Sequence, residues 1–232
     1  MWFEQVGSQN HWRKGALHLA GVDPELRKII RRVGPCTLEP RRDYFVVLCK
    51  AIYAQQISTH VATVLFGRFC QQFPAKRPTP GRVLSLLDGD PARLKICGLS
   101  RQKTIYLRDL AEHFSTGKVR TRSLASMSDQ EVIDTLTQVK GIGRWTAEMF
   151  LMFVLNRPDV LPVDDLGLQE AVREVYGLTH RPKASELRAL AEPWRPWRSL
   201  ATWYLWRRHS RNQRVAGKKT SRRSLPRKVR SS

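Results

Sequence analysis

Apolar residues recur along most of the chain at the three-to-four-residue spacing of amphipathic helices. The pattern is strongest over residues 43–73, where only Gln55-Gln56-Ile57-Ser58 interrupts it, and Ser58 is a plausible N-cap for the second of two helices. Further helices are predicted over residues 82–87, 91–96, 100–114, 129–139, 145–155 and 166–176, with a last one carrying Trp197 to Trp206. Almost no segment alternates with period two, so we expect an all-α fold.

Turn residues and charge divide the chain into three parts. Residues 1–37 are expected to form an N-terminal extension with one short helix, which begins at Asp23-Pro24 and stops near Gly34-Pro35. Residues 38–210 hold the main helical unit. Residues 211–232 are basic and poor in apolar side chains, so we expect a disordered tail there.

The charge balance indicates a polyanionic partner. The chain has 232 residues, with 41 Lys and Arg against 20 Asp and Glu, a formal net charge of +21. Nucleic acid is the usual partner of such a chain, although charge alone does not separate DNA from RNA or from an anionic membrane. No apolar run approaches the length of a membrane span and no secretory signal is recognisable, so we expect a soluble intracellular protein, in the cytoplasm at the nucleoid or, in a eukaryote, in the nucleus.

The four cysteines do not suggest a metal site or a disulfide framework. Cys36, Cys49, Cys70 and Cys97 are widely separated and none forms a C-x-x-C pair. Reduced, mostly buried thiols are therefore expected.

The strongest local motif is a glycine-containing hairpin between two predicted helices. It reads Val139-Lys140-Gly141-Ile142-Gly143-Arg144-Trp145-Thr146. The glycines allow a tight turn, and main-chain N–H groups at the start of the following helix favour an anion. A DNA phosphate fits this position, with Lys140 and Arg144 beside it; an ordinary corner between two helices is the alternative.

A second motif lies about twenty residues downstream. Asp164 and Asp165 stand at a loop-to-helix junction within Leu161-Pro162-Val163-Asp164-Asp165-Leu166-Gly167-Leu168. A simple helix cap would explain them, because Asp is a leading N-cap residue. The same carboxylate can also stabilise the positive charge that grows on a sugar as a glycosidic bond breaks, and it can orient or deprotonate the attacking water. Both roles can hold at once.

Taken together, these motifs resemble the helix-hairpin-helix DNA glycosylase superfamily. The chain is most similar to the 3-methyladenine DNA glycosylase II branch. The resemblance extends upstream to Ala54-Gln55-Gln56-Ile57-Ser58 and downstream to the Trp194–Ala201 segment, so it covers roughly residues 43–206. It implies two helical lobes around a DNA-binding cleft.

The resemblance implies a role for particular residues. Asp165 matches the essential carboxylate, and Asp164 has a supporting or capping role. Gln56 matches the wedge that fills the gap left by a flipped nucleotide. Trp145 and Trp206 match aromatic pocket positions, where stacking suits an alkylated purine with cationic character, although core packing would explain either tryptophan alone. Further DNA contacts are expected from Gln55, Ser58, Lys140, Gly141, Ile142, Gly143, Arg144 and Thr146.

The resemblance also bears on cofactors. Backbone carbonyls of Lys140 and Ile142 would hold a Na⁺ or K⁺ ion at the hairpin when DNA is bound, and no other cofactor is required. No cysteine follows Cys97, so the iron–sulfur cluster that some relatives carry near the carboxyl terminus is not expected.

Two positions depart from the family pattern. Trp145 occupies the slot where bifunctional members carry a nucleophilic Lys, which argues against Schiff-base chemistry and strand cleavage. Met149, four residues further along the same helix face, stands where the type enzyme has an aromatic residue. That wall of the base pocket is therefore softer, and the range of lesions accepted is in question.

The leading hypothesis is a monofunctional glycosylase. It would act as a monomer on double-stranded DNA, excise alkylated purines of the 3-methyladenine or 7-methylguanine type, and leave an abasic site for base excision repair. Two alternatives stay open: excision of another lesion, such as an etheno, deaminated or alkylated-pyrimidine base, and a helix-hairpin-helix protein that binds DNA without catalysis.

Overall fold

The computed structural model is all-helical over its described residues. It describes the backbone of residues 3–223 and the side chains of residues 10–210, and that part of the chain contains no strand. The helices are α1 (Phe3–Val22), α2 (Pro24–Val33), α3 (Tyr44–Ala54), α4 (Thr59–Gln71), α5 (Pro80–Leu87), α6 (Pro91–Ile96), α7 (Arg101–Ser115), α8 (Thr121–Leu124), α9 (Asp129–Thr137), α10 (Arg144–Phe153), α11 (Leu166–Tyr176), α12 (Ala184–Leu190) and α13 (Arg198–Arg223). Two short 3-10 helices lie at Pro74–Lys76 and Glu192–Trp194.

Contacts divide the chain into two compact units. The first combines the described residues of Met1–Thr37 with those of Pro158–Ser232, and the second is Leu38–Arg157. One division between the two units falls between Thr37 and Leu38. Residues 1–37, however, are not a separate extension, because α1 and α2 pack against each other and against α13. The main unit expected over residues 38–210 likewise divides at Arg157.

The helix ends follow local signals that the sequence contains. Ser58 caps α4 by accepting a hydrogen bond from the Val61 amide at 3.3 Å. Ser128 and Glu131 form a reciprocal capping box at the start of α9, with distances of 3.3 and 2.7 Å. The Ser58 cap expected from the sequence is therefore confirmed.

The first unit is built around α13. Its buried residues include Leu200, Tyr204 and Leu205, which pack among α1, α2 and α11. Trp12 on α1 is 2% exposed and makes an edge-to-face contact with Trp197, with ring centroids 6.3 Å apart.

The second unit holds the hairpin. The helix α3 packs against α4, α5 packs against α7, and α9 and α10 flank the hairpin turn. Burial raises the pKa of the Cys49 thiol well above its ordinary value, and it also raises the pKa of Cys70 and Cys97. Cys36, Cys49 and Cys97 are buried, as the sequence indicated, and Cys70 is half-buried.

The C-terminal segment differs from expectation. The last helix continues to Arg223, so the disorder predicted from residue 211 is wrong for residues 211–223. The physical reason is that Arg, Lys, Gln and Ala in this stretch favour helix, and the first proline after it is Pro226. Residues 224–232 lie outside the described residues. Among the described helices, none combines the length and the apolar character that a bilayer span requires.

Candidate functional site

The predicted catalytic carboxylate lies at the start of α11, in the first unit. Asp165 is the N-cap residue, and its Oδ1 accepts hydrogen bonds from the Leu168 amide at 2.5 Å and from the Trp206 indole Nε1 at 2.9 Å. The side chain is only partly buried, so it remains accessible. The cap and the predicted functional residue are thus the same group, held in one orientation by helices α11 and α13.

Glycine at position 167 keeps this arrangement compact. A Cβ at Gly167 would lie 3.2 Å from Asp165 Oδ1 and 3.4 Å from Trp206 Nε1, closer than most Cβ contacts in proteins. The D-L-G-L sequence therefore does more than cap the helix, because its glycine leaves room for the indole to reach the carboxylate.

The residues around Asp165 differ in their exposure to solvent. Asp164, the preceding residue, is exposed, and its supporting role stays a prediction. Leu166, the first residue of α11, is 63% exposed, which is unusual for a large apolar side chain at such a position. The sequence pattern does not predict this exposure, because an amphipathic pattern indicates only which leucines face the core. Trp206 is half-buried, and its placement was predicted only as a pocket wall.

The hairpin of the second unit joins α9 to α10 by a turn that requires glycine. Gly141 has φ of +84°, and a Cβ there would overlap the ring of Tyr106. Gly143 is the N-cap of α10 and is exposed, so no capping side chain covers the first-turn N–H groups of that helix. An anion can approach those amides, which have no intrahelical acceptor.

Two side chains from other helices hold the hairpin backbone. Gln55, at the end of α3, donates from Nε2 to the Gly141 carbonyl at 2.6 Å. Asp109 on α7 accepts a hydrogen bond from the Lys140 amide at 2.8 Å, and its Oδ1 lies 3.9 Å from Lys140 Nζ. Asp109 was missed, because no local signal in α7 indicates a contact with a residue 31 positions away.

These contacts narrow the predicted phosphate site. The Lys140 amide is bonded to Asp109, and the Ile142 amide donates to the Val139 carbonyl at 3.0 Å. Ile142 is only 4% exposed, so its side chain, which had been grouped with the DNA contacts, is a core residue. The predicted phosphate contact is therefore narrowed to the amides that begin α10, including those of Gly143, Arg144 and Thr146.

The remaining predicted DNA contacts are exposed or serve the fold. Arg144 is exposed, and its Nε donates to the buried Glu148 at 3.1 Å. Gln56 is exposed with φ of +61°, a conformation that non-glycine residues rarely adopt. Ser58 is exposed and caps α4.

The helices α3 and α10 line an apolar cavity of about 320 Å³ in the second unit, which is partly open to solvent. Trp145 and Met149 line it, as does Gln55, and Trp145 is half exposed. The rest of the lining is almost entirely aliphatic or aromatic, from Val47, Leu48, Ala51, Ala54, Phe150, Phe153 and Val154, with Lys50 and Thr146. The structure thus brings together Trp145 and Met149, two of the three predicted pocket residues, while Trp206 contacts Asp165 in the other unit.

The turn at Gly141 between α9 and α10 is the structural motif of a helix-hairpin-helix protein. Residues 49–196 match the HhH-GPD superfamily base excision DNA repair protein family, and the chain belongs to that family.

Relatives from one yeast show how far the similarity extends. The alkylbase DNA glycosidase-like protein mag2 of Schizosaccharomyces pombe is 30% identical over 206 residues, which cover 87% of this chain and 95% of that protein. DNA-3-methyladenine glycosylase 1 of the same organism is 34% identical over 199 residues, covering 84% and 86%. A solved structure of the Schizosaccharomyces pombe 3-methyladenine DNA glycosylase in complex with abasic DNA has a TM-score of 0.71, with 34% identity, and the alignment covers 83% of this chain and 95% of that one.

Proposed function

We propose that this protein is a monofunctional DNA glycosylase that releases alkylated purines, of the 3-methyladenine or 7-methylguanine type, from double-stranded DNA. The observation that carries the proposal is the Asp165 carboxylate, held by Trp206 and the α11 amide in a partly exposed position. The relatives named for alkylated-base removal support the same substrate class. The product is an abasic site, the first intermediate of base excision repair.

Hydrolysis of the N-glycosidic bond requires Asp165 as a carboxylate anion and not as a proton donor. As the N-glycosidic bond lengthens, the base takes the bonding electrons and the sugar becomes cationic. A fixed carboxylate stabilises that cation, and the oxygen of a water molecule then bonds to C1′ while its proton passes to Asp165. An alkylated purine that carries positive charge leaves as a neutral base, so no general acid is required.

The hairpin and the cavity supply binding. The N–H groups at the start of α10 bind a backbone phosphate, and Arg144 and Lys140 add positive charge nearby. The cavity beside Trp145 and Met149 takes the flipped base, because an apolar lining with an aromatic face favours an electron-poor ring over water. Gln56, exposed at the end of α3, fills the space that the base leaves.

The decisive experiment compares wild type with Asp165→Asn on methylated duplex DNA. Asn is as good an N-cap as Asp, so this change keeps the fold and the Leu168 hydrogen bond while it removes the charge. We expect base release, followed by chromatography, to fall by about 10²–10⁴-fold. Asp88→Asn, at an exposed acid of the second unit that has no assigned role at the site, is the matched control and should keep nearly full activity. Equal release by wild type and Asp165→Asn would leave a DNA-binding protein without catalysis.

The absence of a lyase step is proposed from Trp145. An indole cannot form a Schiff base with the sugar, so borohydride should trap no covalent complex with DNA. A trapped complex would show a second nucleophile and contradict the monofunctional assignment.

A monovalent cation at the hairpin is also proposed. The resemblance to helix-hairpin-helix glycosylases implies that carbonyl oxygens of Lys140 and Ile142, in the turn between α9 and α10, would hold such an ion. Binding to DNA should then be tighter in K⁺ or Na⁺ than in tetramethylammonium at equal ionic strength. We further propose that the protein acts as a monomer at the chromosome, which light scattering with and without DNA would test.

A further inference from the structure

The helix α2 presents a row of cations on its solvent side. Arg27, Lys28, Arg31 and Arg32 are all exposed, and apart from Pro24 no other residue of this helix is. We call these four residues the basic ridge. They lie at positions i, i+1, i+4 and i+5, so they form two adjacent columns along one helix face, with about 6 Å between successive members of a column.

A crevice runs along the basic ridge. It has a volume of about 220 Å³ and lies among α2, α11 and α13. Its cationic lining comes from Lys28, Arg32 and Arg208, and its floor is apolar, made by Ile29, Val33 and Val175. The only acid in the lining is Glu25, whose Oε1 lies 2.6 Å from Lys28 Nζ.

Hydrogen bonds at the N-terminus of α2 hold this helix in a fixed position. Asp23, the N-cap of α2, is 8% exposed, and its Oδ1 accepts hydrogen bonds from two α2 amides. Its Oδ2 accepts from the Tyr176 hydroxyl at 2.6 Å and from the Trp194 indole at 2.9 Å. Burial first, and then Asp23, raises the pKa of Tyr176, so this hydroxyl keeps its proton for the bond. A helix fixed in this way presents its cations in a constant register.

Neither the hairpin nor the carboxylate explains these cations. The basic ridge and Arg208 lie outside residues 49–196, the segment that matches the repair family, and none of them contacts Asp165 among the contacts described. The surface stays rich in cations although Lys28 pairs with Glu25 and Arg208 lies 3.7 Å from Glu174, and a dense positive surface attracts a polyanion.

We propose that the basic ridge, with Arg208, is a second DNA-binding surface that contacts the phosphate backbone of duplex flanking the damaged base. The two columns match a ladder of regularly spaced phosphates, and the apolar floor suits the deoxyribose between two of them. The proposal rests on DNA as the partner and not on the excision chemistry.

The test uses undamaged duplexes of two lengths, about one and about three helical turns. Fluorescence anisotropy gives the dissociation constant of the full-length protein between about 50 and 200 mM salt. For Lys28→Ala/Arg31→Ala/Arg32→Ala, we expect the salt slope on the long duplex to fall by about 2–3, with about tenfold or greater loss of affinity. On the short duplex the variant should match wild type.

A matched control removes the same charge elsewhere. Arg82→Ala/Lys95→Ala/Arg122→Ala takes three exposed cations from the second unit and should leave the long-duplex slope closer to wild type. Glu25→Gln should have the opposite effect to the ridge variant and increase affinity for the long duplex, because it removes the acidic side chain that lines the crevice. Thermal melts of each variant establish that the fold is kept.

Two results would overturn the proposal. If both triple variants lose the same amount of salt slope on the long duplex, DNA binding depends on the net charge of the protein and not on the position of the basic ridge. The second result is a ridge variant that keeps the wild-type salt slope of DNA binding but loses affinity for a polyglutamate peptide. That result would identify the basic ridge as a binding site for an acidic protein and not for DNA. Base release from a short methylated duplex is measured separately, so a protein that excises nothing could still show the ridge effect, and the two proposals fail independently.

Discussion

The Trp206 indole donates its Nε1 hydrogen to Asp165 Oδ1 over 2.9 Å, and the Leu168 amide donates to the same oxygen. The carboxylate is thus fixed both by its own helix and by a residue 41 positions later on α13. A second indole–carboxylate pair occurs in the same unit, where Trp194 Nε1 donates to Asp23 Oδ2 at 2.9 Å. Both carboxylates are helix N-caps, so the two pairs are chemically alike. Only the Trp206–Asp165 pair contains the proposed catalytic residue, so the two can be compared by substitution.

Trp206→Phe should impair catalysis more than stability. The ring remains but the indole donor is lost, and hydrogen bonds to charged groups contribute about 1.5–3 kcal/mol. If that orientation is needed only as the sugar becomes cationic, single-turnover base release should fall by about 10–100-fold, since each 1.4 kcal/mol is tenfold. Affinity for undamaged DNA should be nearly unchanged.

Trp194→Phe is the matched control. It removes the same kind of bond from a buried carboxylate that caps α2, so the free energy of unfolding should fall by about 1–3 kcal/mol. Base release per folded molecule should stay close to wild type. The interpretation fails if both variants lose stability and activity to the same degree.

Much of this arrangement could be predicted because its signals are local. The capping box at Ser128, the break after Ala54 and the position of Asp165 before α11 each depend on residues within one helical turn. The hairpin was also expected, since Gly141 adopts the positive φ that only glycine takes easily.

Features that depend on packing between distant segments could not be predicted. The helix α1 was missed because glycines interrupt its apolar pattern, yet Gly15 is buried and a Cβ there would lie 2.5 Å from Trp197 Cε3. The residue that weakens the helix signal is the one that allows α1 to approach α13. The contact between Asp109 and Lys140 is equally invisible in the sequence, because it exists only once α7 packs beside the hairpin.

Gly167→Ala tests how tightly the carboxylate is held. The added methyl group would lie 3.2 Å from Asp165 Oδ1, so the carboxylate or the Trp206 indole must move by a few tenths of an ångström. We expect about a tenfold or greater loss of base release, because small displacements of catalytic groups are costly. Gly67→Ala, in α4 with open space around it, should instead be neutral or stabilise the fold by about 0.5–1 kcal/mol. Unchanged activity in Gly167→Ala would argue against a fixed carboxylate.

Met149→Tyr should narrow the range of lesions released. Met149 lines the 320 Å³ cavity, and its flexible side chain can move aside for a large base. A rigid phenol ring at this position would occupy that space permanently. On a panel of single-lesion duplexes, release of bulky etheno-adenine should fall about tenfold or more relative to 3-methyladenine. Met127→Tyr, at a half-buried methionine outside the cavity, controls for the substitution itself. A parallel decrease for every lesion would mean that the cavity does not select the base.

Asp109 offers a test in which two substitutions should differ. Its carboxylate accepts the Lys140 amide at 2.8 Å and is largely shielded from solvent, with 15% of the side chain exposed. Asp109→Ala removes the acceptor and leaves that amide without its partner, so the hairpin loosens and the dissociation constant for undamaged duplex should rise about tenfold, since such a bond contributes about 1.5 kcal/mol or more.

Asp109→Asn keeps an acceptor oxygen for the Lys140 amide while it removes a negative charge from the neighbourhood of the phosphate site. Binding should therefore equal or exceed that of wild type. Asp88→Ala breaks the exposed pair of Asp88 with Arg108, also on α7, and should change little, because exposed ion pairs contribute about 0–1 kcal/mol. If Asn binds as weakly as Ala, the charge of Asp109 and not its hydrogen bond organises the hairpin. His113, whose Nδ1 lies 3.4 Å from Asp109 Oδ2, would then be the residue to examine as its counter-charge.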